Sequence, residues 1–316
     1  MVAFLFAGQG SQYIGMGKDL YEAFAQSKAV FDKADKVLGF PISKLCFAGP
    51  QAELSKTQNC QPAILTVSIA AWEAFKSALD YKLSAISYLA GLSLGEYSAL
   101  VAAEALSFED ALYLVKRRGE FMEEEAKKFP GKMLSIIGLD LEAVKKICLD
   151  TDTQIANINC PGQIVISGGV KEIEHAQKLA KEQGAKRAIL LEVSGAFHSS
   201  FMKDAGLKLA KELEKIKINE PRIPLISNVT ARPESCAKEI KDNLIKQVTW
   251  SVLWEDSMKF ILAQGIMNFM EFGPGKVLKG LMRRIDANAQ VISIEKKEDI
   301  LALQQGLLPK KGTVPA

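Results

Sequence analysis

The sequence predicts an α/β protein with a largely parallel sheet, interrupted by a small inserted unit with a different order of elements. Three observations carry this. Short apolar runs that read as buried strands alternate with helical stretches along most of the chain. One such strand, over residues 86–90, runs directly into Gly91-Leu92-Ser93-Leu94-Gly95 and then into a helix. Between residues 131 and 193 the order changes to βαββαβ.

Taken in order, residues 2–7 form an apolar strand that ends in a Gly-rich turn. Residues 19–38 read as one amphipathic helix and 65–79 as an Ala-rich buried helix. After the 86–90 strand, 97–105 reads as a helix, and Ser107 with acidic Glu109 and Asp110 behind it caps another. The inserted unit follows: strand 132–138, helix 141–148, strands 154–159 and 163–167 joined by Cys160-Pro161-Gly162, helix 170–183 and strand 187–193. That order is the ferredoxin-like supersecondary unit. It divides the chain into a large α/β part, 1–128 and 196–316, and a small part, 129–195. Helix 202–216, strand 223–227, helices 237–247 and 254–264 and strand 268–272 complete the large part. The Pro-, Gly- and Lys-containing tail from Leu307 reads as loosely ordered.

Composition excludes several classes of function. The 316 residues are 48% hydrophobic and 24% charged, the balance of a globular chain rather than a disordered one. A formal charge of +3 is weak for a nucleic-acid binder. Five scattered cysteines with no C-x-x-C pair argue against disulfides and zinc, and two histidines leave no room for a His-rich metal site. Neither a secretory leader nor a membrane-length apolar run is present, so a soluble, cytoplasmic protein is expected.

Gly91-Leu92-Ser93-Leu94-Gly95 has the G-x-S-x-G form. A nucleophilic serine must stand exposed on a sharp strand-to-helix turn, flanking glycines relieve the crowding, and the following helix offers free N–H groups to an oxyanion. A helix-capping serine is the plainer alternative. Such a nucleophile needs a base. His175 sits among charged residues on a predicted surface helix, whereas His198 lies in Ser194-Gly195-Ala196-Phe197-His198-Ser199, beyond a strand end. The pairing is therefore Ser93 with His198.

Arg118 falls on the apolar stripe of Ala111, Leu114, Val115 and Met122. A guanidinium pointing inward requires an anion: either a structural carboxylate or a substrate carboxylate held by its fork. Arg117 groups instead with Tyr113 and Phe121.

Several segments then fall together in order: Gly8-Gln9-Gly10-Ser11-Gln12, Gln61-Pro62-Ala63, Gly91–Glu96 with Tyr97, Arg118-Gly119, Asn157–Gln163, Ile166-Ser167-Gly168, Phe197-His198, Gln247 and Gly273-Pro274-Gly275. Across nearly the whole chain the sequence resembles the malonyl-CoA:acyl carrier protein transacylases of bacterial type II fatty acid synthesis. The resemblance implies a hydrolase-like core with the ferredoxin-like insertion. It implies Ser93 as nucleophile, His198 as base, and Gln247 as the residue whose backbone carbonyl orients the imidazole. The Gln9 and Leu94 N–H groups would form the oxyanion hole. Arg118 would hold the malonyl carboxylate, Gln61 and Met122 would line the pocket, and Asn157 and Asn159 would lie near it. It implies malonyl-CoA and acyl carrier protein as substrates and no metal or other cofactor. One departure stands out: the family usually has His before the nucleophile, and here Leu92 removes that polar neighbour.

Serine thioesterases and other hydrolases share the Ser–His pair. Arg118 together with Gly8–Gln12 distinguishes this chain from them. A carrier-binding scaffold without activity would have no need of that pair. Because acyl carrier proteins are acidic, the basic cluster Lys276, Lys279, Arg283 and Arg284 is a candidate docking patch.

Overall fold

The computed structural model describes residues 1–306; the tail from Leu307, expected to be loosely ordered, lies outside the described residues. Two sheets organise the chain. The first contains β1 (Val2–Phe6), β2 (Ile86–Gly91), β7 (Leu225–Ile226), β8 (Pro233–Glu234), β9 (Asn268–Phe272) and β10 (Gln290–Ile294), in the order β10-β9-β1-β2-β7-β8. All its neighbours pair in parallel except β7 with β8. β1 is buried along its whole length, as the central strand of a sheet covered on both faces must be. Phe4, Trp72, Phe75 and Phe272 pack edge-to-face or tilted on one side of it.

The second sheet contains β3 (Gly131–Ile137), β4 (Gln154–Cys160), β5 (Gln163–Gly169) and β6 (Arg187–Leu190), antiparallel in the order β4-β5-β3-β6. Helices Leu141–Thr151 and Val170–Glu182 complete the expected βαββαβ run and share an apolar core with it around Leu134, Ile136, Ile147, Ile166 and Ile173. The second sheet is tied to the rest of the chain where Ile158 of β4 donates to the carbonyl of Val252, a residue outside both sheets, and Val252 donates to Ala156.

Several boundaries differ from the sequence reading. The single helix expected over 19–38 is two, Lys18–Ala23 and Ala25–Leu38, broken at Phe24, whose backbone is extended. The helix expected from residue 65 begins eight residues earlier and spans Thr57–Ala78, with Pro62 inside it. Strand β6 stops at Leu190 rather than Val193, and the residues up to His198 form an irregular loop. The helix expected over 202–216 is a 3₁₀ turn, Ser200–Met202, followed by helix Lys203–Glu214. Helices Ile42–Ala48, Val277–Ile285 and Lys297–Gln304 and strands β8 and β10 were not anticipated.

The strand-to-helix turn after β2 depends on close packing. A Cβ on Gly91 would collide with the Gly95 backbone, and one on Gly95 would collide with the Phe6 carbonyl of β1. Both glycines are thus fixed by backbone approaching backbone, where nothing can swing aside. Gly95→Ala is expected to lower unfolding stability by ~2 kcal/mol or more, as overpacking of a rigid contact does. Urea denaturation checks this, and a loss within error of zero would contradict it.

Candidate active site

Parallel strands leave their carboxyl ends at one edge, and the loops beyond that edge build the site. Gly8 and Gln9 follow β1, Ser93 follows β2, Asn228 follows β7 and Gly273–Gly275 follow β9. A Cβ on Gly8 would collide with the Leu92 carbonyl, so the first loop lies directly against the serine turn.

Ser93 has φ +51°, the left-handed region that a non-glycine residue adopts only when its surroundings hold it there. Its Oγ lies 2.9 Å from His198 Nε2. His198 Nδ1 lies 2.7 Å from the Gln247 carbonyl. A carbonyl can only accept, so Nδ1 carries the proton and the Nε2 lone pair faces Ser93. Gln247 thus stands where a triad carboxylate would.

His198 is 5% exposed and also has positive φ, +55°. Its loop is held by Ser167 of β5, whose Oγ donates to the Phe197 carbonyl at 2.6 Å, and by Ser199 Oγ donating to Ala196 at 2.6 Å. Burial, reinforced by the nearby Arg118 charge, pushes the imidazole down to about 4, against the pull of backbone hydrogen bonds to Gln247 and Trp250.

Arg118 is 1% exposed, on the buried face of helix Phe108–Lys128. That helix starts as its sequence suggests, with Ser107 Oγ accepting from Asp110 N–H at 3.0 Å. At Gly119 it comes so close to helix Thr57–Ala78 that a Cβ would lie 2.8 Å from the Thr57 carbonyl. This approach brings Gln61 opposite Arg118. Nη1 donates to Gln61 Oε1 at 2.8 Å, and Nη2 donates to Ser93 Oγ at 3.0 Å and to Gln247 Oε1 at 3.1 Å. Its partners are all neutral oxygens, and Nε has none. The structural carboxylate that could have explained the buried arginine is therefore not among its hydrogen-bond partners. Gln61 Nε2 in turn reaches Met122 Sδ at 3.6 Å. Arg117 points elsewhere, over the Phe121 ring and paired with Glu120.

Among the described residues, the backbone N–H groups of Gln9 and Leu94 donate to no protein acceptor. Leu94 is the N-cap position of helix Gly95–Ala102, so its N–H belongs to the positive end of that helix. Asn157 and Asn159 lie on β4, where Asn157 bridges to Val252; neither side chain hydrogen-bonds to the Ser93–His198–Arg118 group. Buried Asn159 Oδ1 has no partner. A cavity of about 700 Å³ opens beside His198, lined by Thr153, Gln154 and Leu253 and edged by Leu149 and Trp250, which is 55% exposed.

Two residues of the cluster had no role in the sequence reading. Asn228 Oδ1 accepts the Ser93 N–H at 2.6 Å, and its Nδ2 donates to the Gly91 carbonyl at 2.7 Å. Fully buried Glu96 accepts from Gln247 Nε2 at 2.6 Å. The signal for Glu96 was available: it is the one charge in Gly95–Ala102, an otherwise apolar and small-residue helix.

Chemically, these groups can run nucleophilic acyl transfer: a hydroxyl, a neutral base, free N–H donors and a cation facing the hydroxyl. Comparison with known proteins agrees with that class. Residues 3–284 match the acyl transferase domain family. The malonyl CoA-acyl carrier protein transacylase of Bacillus subtilis (strain 168) is 49% identical over 314 residues, covering 96% of each chain. The acyl-carrier-protein-S-malonyltransferase of Bartonella henselae is structurally similar at TM-score 0.92 and 40% identity, covering 97% of this chain and 99% of that one. A malonyl-transacylase solved in complex with its type II PKS acyl-carrier protein is similar at TM-score 0.92 and 38% identity, covering 96% and 99%. The chain belongs to the malonyl CoA-acyl carrier protein transacylases of the acyl transferase family.

Because His198 is neutral down to about pH 4, Ser93 should stay activated well below the ordinary histidine range. Modification of Ser93 by a serine-directed fluorophosphonate is expected to lose rate only near pH 4. Stopped assays across pH 3.5–8 check this, and an acid limb near ~6.5, the unperturbed value, would overturn it.

Proposed function

We propose that this protein transfers a malonyl group from malonyl-CoA to the phosphopantetheine thiol of acyl carrier protein, through a malonyl ester on Ser93, in fatty acid synthesis. The observation that carries the reading is Arg118: buried, bonded only to neutral oxygens, and 3.0 Å from the Ser93 hydroxyl. A guanidinium so placed suits an acyl group that ends in a carboxylate.

In the first half-reaction Ser93 Oγ gives its proton to His198 Nε2 and attacks the thioester carbonyl. The oxyanion lies between the Gln9 and Leu94 N–H groups, each such donor supplying ~3 kcal/mol. The C–S bond breaks, and His198 returns the proton to the departing CoA sulfur. In the second half the carrier thiol gives its proton to His198 and its sulfur attacks the ester. The C–Oγ bond breaks and Ser93 recovers the proton. Ping-pong order follows from one serine serving both halves. Gln61 and Met122 line the acyl pocket beside Arg118, and Asn157 and Asn159 on β4 are the further candidates for substrate contact. The cavity beside His198 gives the pantetheine arm its route. No metal or organic cofactor enters these steps.

The two α/β parts fit this reading as a hydrolase-like unit, 1–128 and 196–316, carrying a ferredoxin-like unit, 129–195. The strand order β4-β5-β3-β6 supports the second name. For the acidic carrier, Lys276, Lys279 and Arg283 offer exposed charge on and beside helix Val277–Ile285. Arg284 is already engaged with Gln163 and the Pro161 and Gly162 carbonyls.

Incubation with malonyl-CoA alone should add one malonyl group, located on Ser93 by mass spectrometry and absent in Ser93→Ala. Arg118→Ala should reduce malonyl loading by about a hundredfold or more while changing acetyl loading far less, because only the malonyl carboxylate loses its partner. Equal losses would refute the carboxylate fork. Prompt release of free malonate with no transfer would favour a hydrolase instead. Charge reversal at Lys276 and Lys279 should raise the carrier's KM several-fold and leave that of malonyl-CoA unchanged; an unchanged carrier KM would remove this helix as the docking site.

A further inference from the structure

We infer that Glu96 is a positioning residue: it fixes which way the Gln247 side-chain amide faces, and through that amide it sets both the Arg118 guanidinium and the backbone of Ser93. This rests on the reading of Ser93 as nucleophile and Arg118 as carboxylate fork.

Gln247 is the hub of the site. Its backbone carbonyl accepts from His198 at 2.7 Å. Its Nε2 donates to Glu96 Oε2 at 2.6 Å and to the Ser93 carbonyl at 3.0 Å, while its Oε1 accepts from Arg118 Nη2 at 3.1 Å. An amide has two ends of opposite character, and only one orientation satisfies these three neighbours. Turned over, its oxygen would face two acceptors and its NH₂ would face a guanidinium that can only donate.

The Ser93 carbonyl divides its two lone pairs between this Nε2, at 3.0 Å, and the Glu96 backbone N–H, at 3.1 Å. The contact to the Glu96 side chain is the shortest of the amide's three side-chain bonds, and it fixes the NH₂ end most firmly. The same Oε2 lies 3.4 Å from the Asn228 N–H, and Asn228 holds the Ser93 N–H at 2.6 Å. Glu96 therefore touches both residues that grip the left-handed Ser93, one at its N–H and one at its carbonyl. No side-chain atom of Glu96 is bonded to Ser93, so its carboxyl acts only through its neighbours.

Burial and the neighbouring Glu234 raise the Glu96 carboxyl above the ordinary range. The role depends on an accepting oxygen rather than on negative charge, and Gln at this position keeps one.

The test compares Glu96→Gln with Glu96→Met in the full chain. Both keep the side chain's length and filling; Gln keeps an oxygen acceptor, whereas Met offers only a weakly accepting sulfur. We expect Glu96→Gln to load malonyl and acetyl groups within about threefold of the parent. Glu96→Met is expected to slow malonyl loading by about ten- to a hundredfold, the loss of a buried hydrogen bond to an ionic network. It should slow acetyl loading severalfold less, because acetyl does not use Arg118. A uniform loss for both acyl groups in Glu96→Met, or equal behaviour of the two variants, would overturn the inference. Should Glu96→Met not fold, Glu96→Gln alone decides: a malonyl-to-acetyl ratio differing from the parent's by tenfold or more would overturn it, and retention of the parent's ratio and malonyl rate would support it. If the parent itself formed no malonyl-Ser93 adduct, the underlying functional reading would fail separately.

Discussion

A guanidinium buried among neutral oxygens is the constraint around which the catalytic edge is arranged. An unpaired charge in the interior costs several kcal/mol unless its donors are met. Here two of the three nitrogens are met by Gln61, Ser93 and Gln247, and the ring of Tyr97 lies 5.9 Å below. The positive charge that remains has consequences for its neighbours. It helps depress His198, which keeps the imidazole able to accept a proton. It also donates to Ser93 Oγ, stabilising negative charge on that atom as the proton leaves. One side chain thus touches the Ser93 hydroxyl directly and His198 through its charge.

The inserted unit takes part in the same arrangement. His198 stands on an irregular loop, which on its own would be mobile. Ser167 of β5 fixes the carbonyl immediately before it, and the paired backbone of Ile158 and Val252 ties β4 to the segment after helix Ala237–Gln247. Ser251 Oγ adds a bond to the Ile155 carbonyl at 2.5 Å. Ser93 therefore belongs to the parallel sheet, while His198 is anchored in part to the antiparallel one. The 2.9 Å between them measures how well the two units are joined.

Much of this was legible because certain residues carry local meaning. Glycines around Ser93 announce a turn, and Arg118 on an apolar helical stripe announces a buried charge. Other features depend on partners far away in sequence. Asn228 finds Ser93 across 135 positions and Gln247 finds Glu96 across 151, and no spacing rule reaches so far. Helix Val277–Ile285 is capped by Glu271, which accepts the Leu278 and Lys279 N–H groups from the preceding strand; a Ser or Asp at the cap would have marked its start. Pro62 hid the first turns of helix Thr57–Ala78, since a proline reads as a boundary. The helix continues there because its residues on both sides of Pro62 are buried against neighbouring helices, which outweighs one missing hydrogen bond.

Leu92 stands where the resemblance leads one to expect a histidine, and the structure explains why a leucine fits there. The side chain is half-buried and packs against the apolar cluster of Ala3, Leu5, Ala90 and Phe269, so a hydrocarbon is at home there. Its backbone does separate work: its N–H donates to the Phe6 carbonyl, and its own carbonyl accepts from Gly95. These bonds do not depend on the identity of the side chain. The polar grip on Ser93 comes from the other side of the turn, through Asn228 and Gln247. A residue at position 92 can change the polarity of the turn's outer flank without changing how Ser93 is held. Position 96 has no such freedom, because its side chain is enclosed and its oxygen is bonded to the residues that do the holding.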